Sequence, residues 1–547
     1  MDIIGLLISL IPLIVVFLGI VWLKKSGSFM VIVGLVLTVL IVWLYFNTDL
    51  YIIYGGIMYG IVKSFGIAVA VVFAMFLVFL MQVTGALNRI ADAIHRVAGT
   101  HEEKALFVGM GFGSFVTALG LVAPTLFPPL LVAMGFTPLA AISIACLGYD
   151  PLCSFALLSL PITVPVDTVN SMHLAGIGNF TYQSFATNIG IFLPIISVGF
   201  AFAILWVTGG IGAIKRSWVP ALMSGLIISL SALALVYWNL VPISVVGVIA
   251  GGLSMISLYL YTRVRSWLAG RDLSKKSTAA DGGTVNEAAK PPMSILRALS
   301  PWVILIVLVG VVGIPDVATY LNNLPGNNEV WTIFANQKID LNFMTQAYTW
   351  ILVASILGIF TLGARRGHVT KAIDMTVKRL SGPLLTYSLF FSIAYLMFYS
   401  GGVILDGKFT AGAMIHPEMN MDAIIGSALA ALFGTYYGLV APIPGFIGSV
   451  IGGSETSSNV MFAKIQHVAV SNTLGADKFG ITYGSLAVAG GIASAITPAK
   501  ITNACATLGE NGQMESKAIG VNARVAIILT AITCVMTFLF LKIGIGF

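Results

Sequence analysis

Apolar runs of about twenty residues, each closed by a short polar or basic break, alternate along most of the chain. That spacing suits helices crossing ~30 Å of hydrocarbon, whereas the strands of a membrane barrel alternate apolar and polar residues over about ten positions. The runs predict spans over residues 3–23, 29–46 and 65–87, then 137–161, 186–208, 218–238 and 242–261. A second series follows at 301–314, 343–362 and 383–400. The stretch 423–440 reads as an interfacial or bundle-packed element, because a full span there would reverse everything after it. Basic residues mark the inner turns: Lys24-Lys25, Arg89, Arg96 and Lys104, Lys215-Arg216, and the cluster Arg365, Arg366, Lys371, Lys378, Arg379. The first run lacks a basic leader, so it reads as a membrane helix with its amino terminus outside. Residues 262–297, polar and with seven Lys and Arg, form the one clear linker, predicted cytoplasmic. The polar stretch 401–422 is predicted to lie outside.

Two segments break the pattern. Residues 105–135 carry Gly109, Gly111, Gly113 and Gly120 with Pro124, Pro128 and Pro129. Residues 444–475 carry Gly445, Gly448, Gly452 and Gly453, followed by Ser454 to Asn459. Polar backbone and side chains at membrane depth are tolerated where they are buried in protein or line a cavity, so both segments read as re-entrant hairpins. The plainer alternative is that Gly and Pro only let helices pack. Gly113-Ser114 and Gly135 align with Gly453-Ser454 and Gly475 at one common offset. Each segment precedes a helix broken midway, over 137–163 at Asp150-Pro151 and over 480–506 at Thr497-Pro498.

The predicted fold is an all-α polytopic membrane protein of two repeats, each with five transmembrane helices and one re-entrant hairpin, about twelve transmembrane helices in total. Residues 1–208 form the first repeat, 209–261 two linking helices, 262–297 the linker and 298–547 the second repeat. An odd number of crossings between them inverts the second repeat. Inverted repeats whose broken helices meet near the midplane are a transporter architecture.

Composition agrees with a membrane setting and removes alternatives. Of 547 residues, 58% are hydrophobic and 9% charged, and the mean hydropathy is +0.99. A soluble domain carries about 25% charged residues, so soluble enzymes, nucleic-acid binders and disordered scaffolds are excluded. The net charge of +7 reflects basic inner loops and gives no reason to expect nucleic acid. Cys146, Cys153, Cys505 and Cys534 lie in apolar stretches without metal-ligand spacing and read as packing residues. No metal, cofactor or catalytic motif is expected.

The densest chemistry is Ser454, Glu455, Thr456, Ser457, Ser458 and Asn459, where hydroxyls, an amide and uncovered N–H groups at a helix start suit a small organic acid. Ser114 and Thr117 are a sparser copy in the first hairpin. Glu455 and Asp150 are the candidate proton carriers, Asp150 because it sits at a helix break. Thr497 and Lys500 occupy the other break, where the ammonium would offset an anion. Lys464 could pair with Glu455 or anchor at the surface, as could His467. Asp167, His173 and Lys63 read as solvated, and His101-Glu102-Glu103 as a charged loop.

The segment Ser454-Glu455-Thr456-Ser457-Ser458-Asn459, followed by Val460-Met461-Phe462, resembles the Gly-Ser-Asp-Thr-Ser-Ser-Asn-x-x-Phe signature of the bacterial L-lactate permease family. Ile496-Thr497-Pro498 with Ala504-Cys505-Ala506 is similar to its Ile-Ser-Pro and Ala-Cys-Ala segment, and Phe112 to Phe115, Ala123-Pro124, Gly135-Phe136 and Pro138-Leu139 match its first hairpin. The resemblance implies a plasma-membrane symporter of L-lactate and often glycolate, coupled to protons and working by an elevator motion. Departures also stand out. Thr117 replaces a glutamate of that family, and Leu119 and Leu121-Val122 replace small residues. Ser494 replaces a lysine while Lys500 stands nearby, and Asp150 replaces a neutral polar residue. These leave sodium open as the coupling ion and another organic anion, a dicarboxylate or sugar acid, as the alternative cargo. The partners expected are the organic anion and the lipid bilayer, with a homodimer as the assembly to test.

Overall fold

A computed structural model describes residues 3–23, 25–95, 99–120, 123–268, 293–327, 329–410, 419–510 and 512–546. Most of the linker, Leu121-Val122, Arg96 and part of the 401–422 stretch lie outside the described residues. Among those described, 11 helices are long and apolar enough to cross a membrane, and two apolar helices are shorter.

The chain opens with α1 (Ile3–Val21), α2 (Gly27–Leu44) and α3 (Leu50–Val83). The last starts fifteen residues earlier than its apolar run suggested, because Asp49 caps it by accepting from the Tyr51 N–H at 2.7 Å. Lys63 is therefore half-buried in mid-helix and is not a solvated residue at a helix start. After α4 (Ala86–His95) comes α5 (His101–Leu106), which is helical, not a charged loop, since Thr100 and Glu103 form a reciprocal capping box. Glu102 and Glu103 accept from Arg216 and Arg265, each at 2.6 Å.

A π-helical stretch, Phe107–Gly113, leads into α6 (Ser114–Ala118), and α7 (Ala123–Ala133) returns. The tip of this hairpin is at Gly120 (φ +94°), so Ser114 and Thr117 sit within its first arm, not at the tip. The first broken helix comprises α8 (Pro138–Leu147), a 3-10 turn at Asp150–Phe155 and α9 (Ala156–Ser171). Leu157, Leu158 and Ser159 all take left-handed backbone angles, at about 1–2 kcal/mol each for residues with a Cβ. Asp167 lies on α9 and accepts a 2.6 Å bond from the Tyr182 hydroxyl, so it is not a loop residue, whereas His173 is exposed.

Next come α10 (Tyr182–Gly190), α11 (Leu193–Tyr237) and α12 (Ile243–Leu268). α11 merges two expected spans across distorted residues Gly209, Gly210 and Ser217. The second half begins with α13 (Ile295–Val312), α14 (Pro315–Asn322), the hairpin β1 (Val330–Phe334) and β2 (Gln337–Asp340), and α15 (Ala347–Thr361). In α16 (Arg366–Tyr399) the basic cluster is helical rather than a turn. A second hairpin, β3 (Val403–Leu405) and β4 (Lys408–Thr410), opens the 401–422 stretch. Then follow α17 (Met421–Phe433), α18 (Ile443–Gly452), α19 (Glu455–Ser471), α20 (Phe479–Ala493), α21 (Pro498–Thr507) and α22 (Gly512–Ile543).

Packing is reciprocal between the halves. α3 and α16 run against each other, α2 packs on α16 and α15 on α3, and α1 meets α17 as α13 meets α4. The close approach depends on small residues: a Cβ on Gly60 would lie 2.5 Å from the Ser392 backbone, and Ser64 and Ser388 share a 3.0 Å hydrogen bond. Deeper in, α9 packs on α19 while α21 packs on α7. Each half thus sets the end of its broken helix on the second hairpin arm of the other.

Candidate functional site

The second arms of both hairpins begin at one small cavity of about 150 Å³. Ala123 and Pro124 bring the start of α7 to it, and Gly453, Ser454, Glu455 and Thr456 bring the start of α19. Two helix N-termini therefore present their positive ends and unpaired N–H groups to the same space. Thr117, Tyr149, Cys153 and Tyr387 complete the polar wall. Ile67, Val71 and Met75 of α3 give it an apolar side. Lys500 is the only cationic side chain among the described lining residues.

Lys500 reaches from the second helix break toward the first. Its ammonium donates to the Ser494 hydroxyl and lies 5.2 Å from the centre of the Tyr149 ring. Ser494 in turn shares a 3.0 Å hydrogen bond with the Tyr149 hydroxyl. On the other side, Ser154 donates to Glu455 Oε1 at 2.6 Å, tying the first break to the second hairpin tip. Asp150 is 5% exposed and acts electrostatically on both Lys500 and Glu455. Neither of its oxygens has a hydrogen bond of normal geometry among the described residues, and the same holds for Glu455 Oε2, Thr117 Oγ1 and Thr497 Oγ1. Buried polar atoms are rarely left so, and a group of them around one cavity marks a place where a polar ligand or a proton binds.

The structure divides the sequence-derived residues into two sets. Thr117, Ser454, Glu455, Thr456 and Lys500 line the cavity, with Asp150 and Thr497 buried in the two breaks. Ser114 instead bonds the Gly148 carbonyl at 3.5 Å, and Ser458 donates to the Gly445 carbonyl at 2.9 Å across its own hairpin. Asn459 donates to the Pro161 carbonyl at 3.1 Å, and Ser457 is buried without lining the cavity. Lys464 does not pair with Glu455, being held instead at the Phe398 carbonyl, and His467 bonds the Ala175 carbonyl. Sequence reasoning missed Tyr149, Cys153, Ser154 and Tyr387. The first three flank Asp150-Pro151, and that helix break was the signal that could have found them.

Asn459→Ala should accordingly act on stability. Loss of a buried bond to Pro161 costs about 1–3 kcal/mol, seen as a lower melting temperature in detergent, with the KM for substrate within about twofold of wild type.

A larger cavity of about 510 Å³ lies between α9, α10, α14 and α15 and shares Leu160 with the first. Among the described residues its lining has no cationic side chain and includes the Asp167 carboxylate, although the starts of α10, α12 and α15 reach it.

A multi-pass helical membrane protein with a small, charged cavity closed by two hairpin tips and two broken helices is a membrane transporter. The chain belongs to the L-lactate permease family, whose model matches residues 5–544. The L-lactate permease of Bacillus subtilis is 24% identical, covering 88% of this chain and 86% of its own. The glycolate permease GlcA of Escherichia coli K12 is 25% identical over 97% of this chain and 95% of its own, and the L-lactate permease of the same strain matches at the same level. The solved YdaH transporter of Alcanivorax borkumensis covers 90% of this chain and 88% of its own, at 14% identity and a TM-score of 0.41.

Proposed function

We propose that this protein carries L-lactate, glycolate and related small 2-hydroxy monocarboxylates across the plasma membrane by proton symport, without enzymatic activity. The observation that carries the reading is the cavity itself. One ammonium and two helix N-termini suit one carboxylate, hydroxyls of Thr117, Ser454 and Thr456 suit a 2-hydroxyl, and the α3 face suits a short aliphatic tail. A dicarboxylate would call for a second cation, and Lys500 stands alone among the described lining residues. The names of the relatives, lactate and glycolate permeases, point to the same cargo.

The reciprocal packing of the halves supports two inverted repeats, with residues 1–208 related to 298–547. We read α3 and α16 as the crossed pair against which the hairpins and broken helices slide in an elevator motion.

Counterflow of labelled L-lactate in proteoliposomes tests the cargo. Unlabelled L-lactate or glycolate inside should drive transient accumulation of label, and a dicarboxylate inside should not. Absence of counterflow with either monocarboxylate would remove the reading.

A further inference from the structure

Leu160 of α9 is the one described residue that lines both cavities, and it is 3% exposed. On one side of it lies the small cavity of about 150 Å³, on the other the space of about 510 Å³. The two also approach each other at α3, which forms the apolar side of the small cavity. Ile67 lines that side, and a Cβ on its neighbour Gly66 would lie 3.7 Å from Gln346 Oε1 and 3.8 Å from Val164. Gln346 lines the large cavity, and Val164 stands one turn beyond Leu160 on α9.

The backbone before Leu160 fixes this partition. Across the left-handed run Leu157 to Ser159 the side chains divide: Leu157 lines only the small cavity and Leu158 only the large one. The Ser159 hydroxyl donates to the Ile243 carbonyl at 2.7 Å, which pins the run to the start of α12. Left-handed residues with a Cβ persist where their surroundings over-determine them, and they gather at ligand clamps. Leu160 itself keeps helical angles, so it can be replaced without added backbone strain.

A cavity of about 150 Å³ holds a benzene-sized molecule, about six non-hydrogen atoms. L-lactate is of that size, and longer 2-hydroxy acids are not. We infer that the Leu160 side chain sets the upper limit on the length of the substrate's tail, by closing the small cavity beyond the methyl group of lactate and shutting off the large one behind it. This rests on the monocarboxylate reading and narrows it to 2-hydroxy acids whose tail is a methyl group or less.

Leu160→Ala removes an isopropyl group, and L-2-hydroxyisocaproate is L-lactate with an isopropyl group added to its methyl carbon. In proteoliposomes loaded with that acid, wild type should show no counterflow of labelled L-lactate. The acid should inhibit wild-type uptake only at concentrations at least a hundredfold above the KM for L-lactate. Through Leu160→Ala it should drive counterflow and inhibit within tenfold of that KM, while L-lactate is still carried with a KM raised severalfold. Val309→Ala of α13 enlarges only the large cavity and should keep the wild-type pattern. Leu160→Val, a smaller cut, should admit 2-hydroxybutyrate, which wild type should disfavour at least tenfold for its one extra methylene. That variant decides the question if Leu160→Ala does not purify.

Counterflow through wild type with 2-hydroxyisocaproate, its exclusion by purified Leu160→Ala, or the same gain in Val309→Ala would each overturn the inference and leave lactate carriage intact. So would exclusion of 2-hydroxybutyrate by Leu160→Val, or failure of both Leu160 variants to purify. Absence of counterflow through wild type with L-lactate itself would instead overturn the cargo reading.

Discussion

Lys500→Gln should abolish L-lactate uptake, lowering initial rates in proteoliposomes by more than a hundredfold at equal protein. Two losses add. A charge-assisted hydrogen bond to a carboxylate is worth about 1.5–3 kcal/mol, or roughly ten- to a hundredfold in affinity. Removing the ammonium also leaves Asp150 and Glu455 without their nearby opposite charge, and breaking such a buried arrangement costs about 3–5 kcal/mol. Exchange should fall with net uptake, because both need the anion bound. Lys500→Arg should recover little. A planar guanidinium does not reproduce a point charge seated over the Tyr149 ring and bonded to Ser494. An unchanged KM for L-lactate in Lys500→Gln would show that the anion binds elsewhere.

The same lysine shows what could be read from the sequence and what could not. Family resemblance put a missing lysine at Ser494 and an extra one at position 500, two separate changes along the chain. In the fold they are one, because the Lys500 ammonium returns to the Ser494 hydroxyl across a 3-10 turn. Linear spacing carries no information about that turn. The expectation of hairpins and helix breaks came from Gly, Pro and polar clusters inside lipid-length runs, which are tolerated only where protein or a cavity covers them. Periodicity failed at helix starts set by one capping side chain, as at Asp49, and at the tip of the first hairpin. There the aligned glycines agree at the following turn, where Gly135 and Gly475 both have positive φ, but not at the tips, Gly120 and Gly453. α7 has 11 residues and α19 has 17, so one offset cannot fit both ends of the hairpin. Nor could composition separate Ser454 and Thr456, which face the cavity, from Ser458 and Asn459, which bond to backbone carbonyls. Which side chain of the cap and first turn meets the cavity and which meets backbone depends on the neighbouring elements, and composition carries none of that.

Asp150→Asn should leave lactate exchange within about twofold of wild type and cut accumulation driven by a pH gradient at least tenfold. The reason is charge balance around a cavity whose two carboxyl groups, Asp150 and Glu455, are buried. Lys500 contributes one positive charge, and the starts of α7 and α19 together contribute about one more, at roughly half a charge each. Glu455, which accepts from the Ser154 hydroxyl, contributes one negative charge when ionised. With a carboxylate bound the sum is near zero only if Asp150 is protonated. With the cavity vacated it is near zero only if Asp150 is ionised. On that balance we propose that one proton enters and leaves with each anion. Asparagine keeps the loaded form neutral, so exchange proceeds. It leaves the returning empty form with an unbalanced buried charge, which costs several kcal/mol and stalls net transport. Glu455→Gln differs in sign: the loaded form becomes positive unless Asp150 ionises, so exchange itself should acquire a pH dependence and weaken. If Asp150 only caps the second half of its broken helix, asparagine would cap nearly as well and pH-driven accumulation would persist. Accumulation retained in Asp150→Asn, with Glu455→Gln unable to exchange, would move the proton to Glu455.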